Sequence, residues 1–128
     1  MTNTNLSEPK RKEHDSVIES VRARLVVEGN NVRTNKYKFK SNPVNHTQPN
    51  GEKITYYPDI YTYDENFVTK IFEVETPESI NDNEAKEQWV LYARGRAKFY
   101  LVVPKDKVDE TKKLINKYKI QVEDIWTY

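Results

Sequence analysis

Apolar positions along the chain change their period several times, and each change marks a new element. His14, Ile18, Val21 and Leu25 recur at the spacing of one helix face, and Gly29-Asn30 supplies a stop, so a helix is predicted over 13–28. Residues 1–12 lack this period and predict a flexible basic arm ahead of a single domain over 13–128. Residues 32–39 alternate in part and predict a first strand, whereas 41–53, with Pro43, Pro49 and Asn50-Gly51, predict a loop. Two β-rich runs follow, Ile54 to Tyr63 and Phe67 to Glu75, and Asp64-Glu65-Asn66 between them predicts a tight hairpin. N-cap candidates around Asn81-Asp82-Asn83 open a predicted helix over 83–94, with Ala85, Gln88, Trp89 and Tyr92 on one face and Gly95 at its end. The continuous apolar run from Lys98 to Val103, closed by Pro104, predicts a strand buried on both faces. A helix over 106–118, with Val108, Thr111, Ile115 and Tyr118 on one stripe, and a strand over 120–126 complete the chain. The order α-β-β-β-α-β-α-β predicts an α/β (α+β) domain, a mixed sheet flanked by helices on both faces.

Composition adjusts this picture. The 128 residues suit one domain, and hydrophobic residues make up only 36%, so the nine tyrosines are expected to carry part of a thin core. The absence of cysteine excludes disulfides, zinc-thiolate sites and thiol catalysis. No apolar stretch is long enough for a signal peptide or a spanning helix, which gives the expectation of a soluble, cytoplasmic protein without membrane contact. The formal charge is only +1, yet residues 52–84 hold nine acids and two bases between mildly basic flanks. An acidic middle of this kind suits a cation site edged by anion-binding surface.

The acids have a pattern. Asp59 lies in Tyr57-Pro58-Asp59-Ile60 on the first β-rich run, and Glu73 and Glu75 lie in Ile71-Phe72-Glu73-Val74-Glu75 on the second. A turn centred on Glu65 sets Asp59 opposite Ile71, with Glu73 its diagonal neighbour on the same face and Glu75 also on that face. Phe72 and Val74 then point the other way, into apolar packing. A slip of one residue would separate Asp59 from both glutamates. Three carboxylates at one strand end repel each other, and a divalent cation is the simplest compensation.

The Pro58-Asp59 pair, followed by Glu73-Val74-Glu75 and framed by amphipathic helices, resembles the PD-(D/E)XK nuclease superfamily, the restriction-endonuclease-like fold. Its small archaeal Holliday-junction resolvase-like members are the nearest likeness, over residues 13–103. The resemblance implies that Asp59 and Glu73, with the Val74 carbonyl, hold Mg²⁺ or Mn²⁺. It implies that an acid on the first helix, Glu13 or Glu19, and Gln88 on the helix after the motif complete the site, and that the protein cuts DNA as a homodimer. Glu75 stands where the family usually has Lys, so the cation that would orient the attacking water is missing and Glu75 becomes the group that positions or deprotonates it. Lys70 has the opposite parity; Lys86 and Lys98 are the other lysines near the motif.

Candidate nucleic-acid contacts are Lys10-Arg11-Lys12, then Arg33, Lys36, Lys38 and Lys40, where Tyr37 and Phe39 alternate with lysines, and Arg94 and Arg96. Trp89 and Trp126 are expected in the core, His14 packed on the first helix and His46 in a loop. The function expected is Mg²⁺-dependent hydrolysis of DNA phosphodiester bonds. The alternatives are a catalytically inactive nucleic-acid- or protein-binding module on the same fold, and RNA as substrate.

Overall fold

The computed structural model describes residues 8–34, 44–47, 49–66 and 68–128. Helix α1 (Glu8–Val27) starts inside the segment expected to be an arm. Pro9 is tolerated in a first helical turn, and Lys10, Arg11 and Lys12 are good helix formers that need no apolar period. Its end follows expectation: Gly29 takes a positive φ of 90°, and the Asn30 N–H reaches back to the Leu25 carbonyl at 3.0 Å.

Strands β1 (Asn31–Thr34), β4 (Ile60–Tyr63), β5 (Thr69–Val74), β6 (Lys98–Val103) and β7 (Asp124–Thr127) form one open sheet in the order β1-β4-β5-β6-β7. The pairs β1–β4 and β4–β5 are antiparallel, and β5–β6 and β6–β7 are parallel. The sheet is therefore mixed, as predicted, and each parallel pair is joined through helix. The β5–β6 crossover contains a 3₁₀ turn (Pro77–Ser79), α2 (Asp82–Glu84), a π turn (Ala85–Trp89) and α3 (Val90–Ala93). The β6–β7 crossover contains a 3₁₀ turn (Lys105–Lys107) and α4 (Val108–Tyr118).

Two expectations fail, for identifiable reasons. The run from Ile54 to Tyr63 is not one strand: Pro58 cannot donate to a ladder, and the chain breaks around it into β3 (Lys53–Tyr56) and β4. The expected loop over 41–53 contains β2 (Val44–Thr47), which includes His46 and pairs with β3 in a separate two-stranded ribbon. Its polar sequence, Val-Asn-His-Thr, gives no alternation to detect, but Asn50-Gly51 does make the turn: Gly51 adopts φ 85° and Asn50 Oδ1 accepts from the Glu52 N–H at 2.9 Å. The expected first strand ends at Thr34, and Lys36, Tyr37, Lys38, Phe39 and Lys40 lie outside the described residues.

Two apolar clusters sandwich the sheet. Ile18, Val21 and Leu25 of α1 pack on Ile60, Phe72, Val74 and Val102. On the other face Ala85, Trp89, Tyr92 and Leu114 pack on Ile71, Phe99, Leu101 and Val103. Trp126 meets the Phe72 ring edge-on at 5.0 Å and carries the Arg24 guanidinium 3.8 Å above it. No helix among the described residues is long and apolar enough to cross a membrane.

Candidate metal centre

The β4–β5 turn is wider than expected. Asp64 Oδ1 accepts from the N–H groups of Asn66 and Val68, at 2.8 and 3.0 Å, and the Asp64 N–H donates to the Val68 carbonyl. Ile60 pairs with Phe72 and Tyr61 with Ile71, so the position facing Asp59, just beyond β4, is Glu73 and not Ile71. The slip relative to a turn centred on Glu65 is even, so the side-chain parity is unchanged. Two hydrogen bonds lock this pairing: the Asp59 N–H donates to Glu73 Oε1 at 2.8 Å, and the Val74 N–H donates to Asp59 Oδ2 at 2.9 Å. Val74 thus enters the site through its backbone, while its side chain packs against the α1 layer.

Asp59, Glu73 and Glu75 are all 0% exposed. Glu75 is fixed from several sides: its N–H continues the ladder to the Val102 carbonyl at 2.8 Å, Trp89 Nε1 donates to Oε1 at 2.9 Å, and the Ser79 hydroxyl donates to Oε2. The Tyr128 hydroxyl donates to the Glu75 carbonyl at 2.6 Å. Carboxylate oxygens of Glu73, Glu75 and Glu84 come within 4.8 Å of one another. Such crowding has electrostatic consequences. Burial, then the charge of Asp59, hold the Glu73 carboxyl well above the usual carboxylate range; burial, then the charge of Glu84, push Glu75 up to about 8. The Tyr92 hydroxyl is driven upward by burial and then by Glu73, Asp59, Glu84 and Glu75 in turn, so all four acids act on one buried group.

The first helix contributes differently from expectation. Glu13 is exposed, and Glu19 pairs with Arg22 at 3.1 Å. The buried His14 of α1 touches the site, its Nε2 lying 3.3 Å from Asp59 Oδ2. Burial works to lower the His14 pKa, but the bond to and charge of Asp59, with help from Asp15, raise it overall. Gln88 is half-buried on the π turn and makes no hydrogen bond to the acids, and its predicted place beside the motif is taken by Glu84. At the third residue after the N-cap Asn81, whose Oδ1 accepts from the Glu84 N–H at 2.8 Å, Glu84 reads in the sequence as a capping acid, which hid it.

The π turn explains its place. Five residues of α-helix end about 140° past a full turn, which would put Glu84 and Trp89 on different faces. Here the Val90 N–H bonds to the Ala85 carbonyl, closing one wide turn, and both side chains meet Glu75. The start of α2 is tied down by Asp82, which accepts from the Tyr118 hydroxyl at 2.7 Å and from Lys117.

Neither Lys86 nor Lys98 replaces the missing lysine. Lys86 is exposed; Lys98, paired across the strands with Lys70, lies three positions from the Glu73 level and contacts Glu123 at 3.7 Å. Of the candidate nucleic-acid contacts, Lys10 pairs with Glu78 at 3.2 Å, Arg11 is half-buried, and Lys12, Arg33, Arg94 and Arg96 are exposed.

The donor set is hard oxygen, suited to Mg²⁺ or Mn²⁺. A buried Asp59 Oδ1 without a hydrogen-bond partner stands next to Glu73, an acceptor with the free lone pairs that a cation requires. Comparison of the chain with family models, curated proteins and solved structures gives no match.

Proposed function

We propose that the protein is a Mg²⁺-dependent nuclease of the PD-(D/E)XK type, on a restriction-endonuclease-like fold, that hydrolyses DNA phosphodiester bonds. The observation that carries this reading is the convergence of buried Asp59 and Glu73 across β4 and β5, with Glu75 on the same side of β5. Asp59 and Glu73 would hold the cation, which supplies charge neutralisation at the phosphate and a more acidic water. Asp59 N–H fixes Glu73, while Val74 N–H and His14 fix Asp59, so both acids are preorganised before any ligand arrives. Glu75 is held at both oxygens by Trp89 and Ser79, and its raised proton affinity suits it to take the proton of the attacking water. The exposed Lys12, Arg33, Arg94 and Arg96 supply phosphate contacts, and a homodimer would present two such sites to a duplex.

The test is nicking of supercoiled plasmid with Mg²⁺ or Mn²⁺, run beside a labelled RNA duplex. Cleavage of DNA that disappears in Asp59→Ala and in Glu73→Ala supports the reading, and undiminished cleavage in both variants removes it. A second reading, a non-catalytic binding module on the same fold, is favoured by one observation: both oxygens of Glu75 already accept protein hydrogen bonds. It predicts nucleic-acid binding without cleavage.

A further inference from the structure

We infer that the outer edge of β7 is a docking site for an extended peptide segment of another protein, apolar on both of its faces and carrying Lys or Arg at the end that meets Glu123 and Asp124. The inference stands on a part of the molecule that the acid site does not use. Among the described residues β7 is the last strand of its sheet, with β6 as its neighbour. The Tyr128 N–H donates to the Val103 carbonyl, so the N–H and carbonyl of Thr127, one residue earlier, point away from β6 toward the open side. A groove of about 530 Å³ runs between β7 and α4, lined by Val108, Ile115, Val122 and Ile125. Another of about 490 Å³ runs between β7 and α1, lined by Val17, Val21 and Trp126. Asp124, Ile125 and Thr127 line both, so the two grooves meet along the strand edge. Consecutive side chains of a strand point to opposite faces, and a segment paired along this edge would place them in one groove and the other by turns.

Two features identify the occupant. Its side chains must be free to fill the grooves, and a second copy of this chain does not meet that need. The copy's own Ile125 is already packed against the α4-side core, and its Trp126 against Phe72 and Tyr100. A segment that lies outside any folded core does meet it. The second feature is charge. Glu123 and Asp124, both exposed, stand at the start of β7, and the strand itself holds no base. The bases of the groove walls, Arg24 and Lys112, stand on the helices, and Arg24 is engaged by Glu28 and the Trp126 ring. Glu123 reaches Lys98 only at 3.7 Å, an ion pair open to solvent. The edge thus favours cations at one end and apolar side chains along the rest. Asp124 Oδ1 accepts from the Ile125 N–H at 2.9 Å, which closes one edge donor to indiscriminate pairing.

The experiment is fluorescence anisotropy of labelled synthetic peptides with the full chain: four valines followed by two lysines, four valines preceded by two lysines, the same pair with glutamates for the lysines, and a lysine pair N-methylated at alternate valines. The protein is tested as wild type, as the double variant Glu123→Lys with Asp124→Lys, as Thr127→Pro, which removes an outward N–H, and as Lys113→Glu, a control elsewhere on α4. Thermal melts confirm that each variant folds, and the N-methylated peptides test the backbone pairing without altering the protein. The expected result is saturable binding of one lysine peptide, the position of its lysines reporting whether the added strand runs parallel or antiparallel. That binding should weaken at least about tenfold with the glutamate and N-methylated peptides, in the double variant and in Thr127→Pro, and hold in Lys113→Glu. No binding of either lysine peptide, or equal binding of the glutamate or N-methylated forms, overturns the inference. So does sedimentation of the wild-type chain as a dimer that Thr127→Pro converts to monomer, because a second copy would then hold the edge.

Discussion

Asp82 and Glu75 are seven residues apart and live in opposite electrostatic worlds. Asp82 is on the surface, where the hydrogen bonds of Lys117 and Tyr118 hold its carboxyl below the usual range. Glu75 is in the interior, where burial and the charge of Glu84 push it up to about 8. Both acids are well provided with donors, so hydrogen bonding does not separate them. What separates them is burial: Asp82 is exposed beside Lys117, and Glu75 is enclosed with an indole, a hydroxyl and the charge of Glu84. Buried acids of this kind oppose folding, a cost that the proposed metal-binding role would account for.

The comparison can be broken most forcefully at the interior acids. Glu73→Gln should lower metal-dependent cleavage by at least about a hundredfold, the scale of losing one preorganised charged group, while raising the melting temperature of the metal-free protein, since a buried charge that repels Asp59 is gone. A fall in both would make Glu73 a structural acid. Next in size, Leu101→Ala, in the apolar core directly across from Glu73, should cost about 2–5 kcal/mol in denaturant unfolding. It should do so equally with and without metal, which the Glu73 variant should not.

The two regions should also titrate with opposite sign. A folded-state pKa of about 8 for Glu75, above its ordinary value of 4.5, means that its contribution to stability is full below about pH 4.5 and lost as pH rises through 8. Glu73 and His14, both raised, act in the same direction. Asp82, lowered, contributes above its ordinary 3.8 and loses that contribution in acid. Thermal melts of the metal-free protein from pH 5 to 9 should therefore show declining stability, and Mg²⁺ should restore more of it at pH 8.5 than at pH 6. An equal effect of Mg²⁺ at both would detach the acids from the cation. Smaller again is Ser79→Ala, which removes one donor from Glu75 and should lower kcat with little change in KM. Smallest is Asp82→Asn, which should leave the unfolding midpoint near wild type because the pair it breaks is exposed to solvent.

Much of this architecture is legible in the sequence where burial imposes a period. The strand over Lys98–Val103 is found at its true bounds because both faces are apolar, and the parity that joins Asp59 to Glu73 survives an error in the turn because that error is even. Legibility ends where polar residues do structural work. The β2–β3 ribbon has no alternating face, the first turn of α1 no apolar residue, and Glu84 is indistinguishable from a cap. His14 falls on the apolar stripe of α1 and is packed there as the stripe predicts, but its contact with Asp59 depends on where the layers meet, and a one-dimensional pattern does not encode that.

The wide turn at Ala85–Trp89 has a consequence for how this molecule tolerates changes in length. It divides the segment from Asp82 to Ala93 into two helical phases, each aligned with a different partner. Deleting one of Lys86, Glu87 or Gln88 would let the helix heal into regular α geometry with Glu84 and Trp89 four residues apart, about 40° past a full turn and so still on one face. Inserting a residue there would instead add about 100° and carry Glu84 away from the strand end while Trp89 stayed in the core. At this point the chain has room to shorten by one residue and none to lengthen.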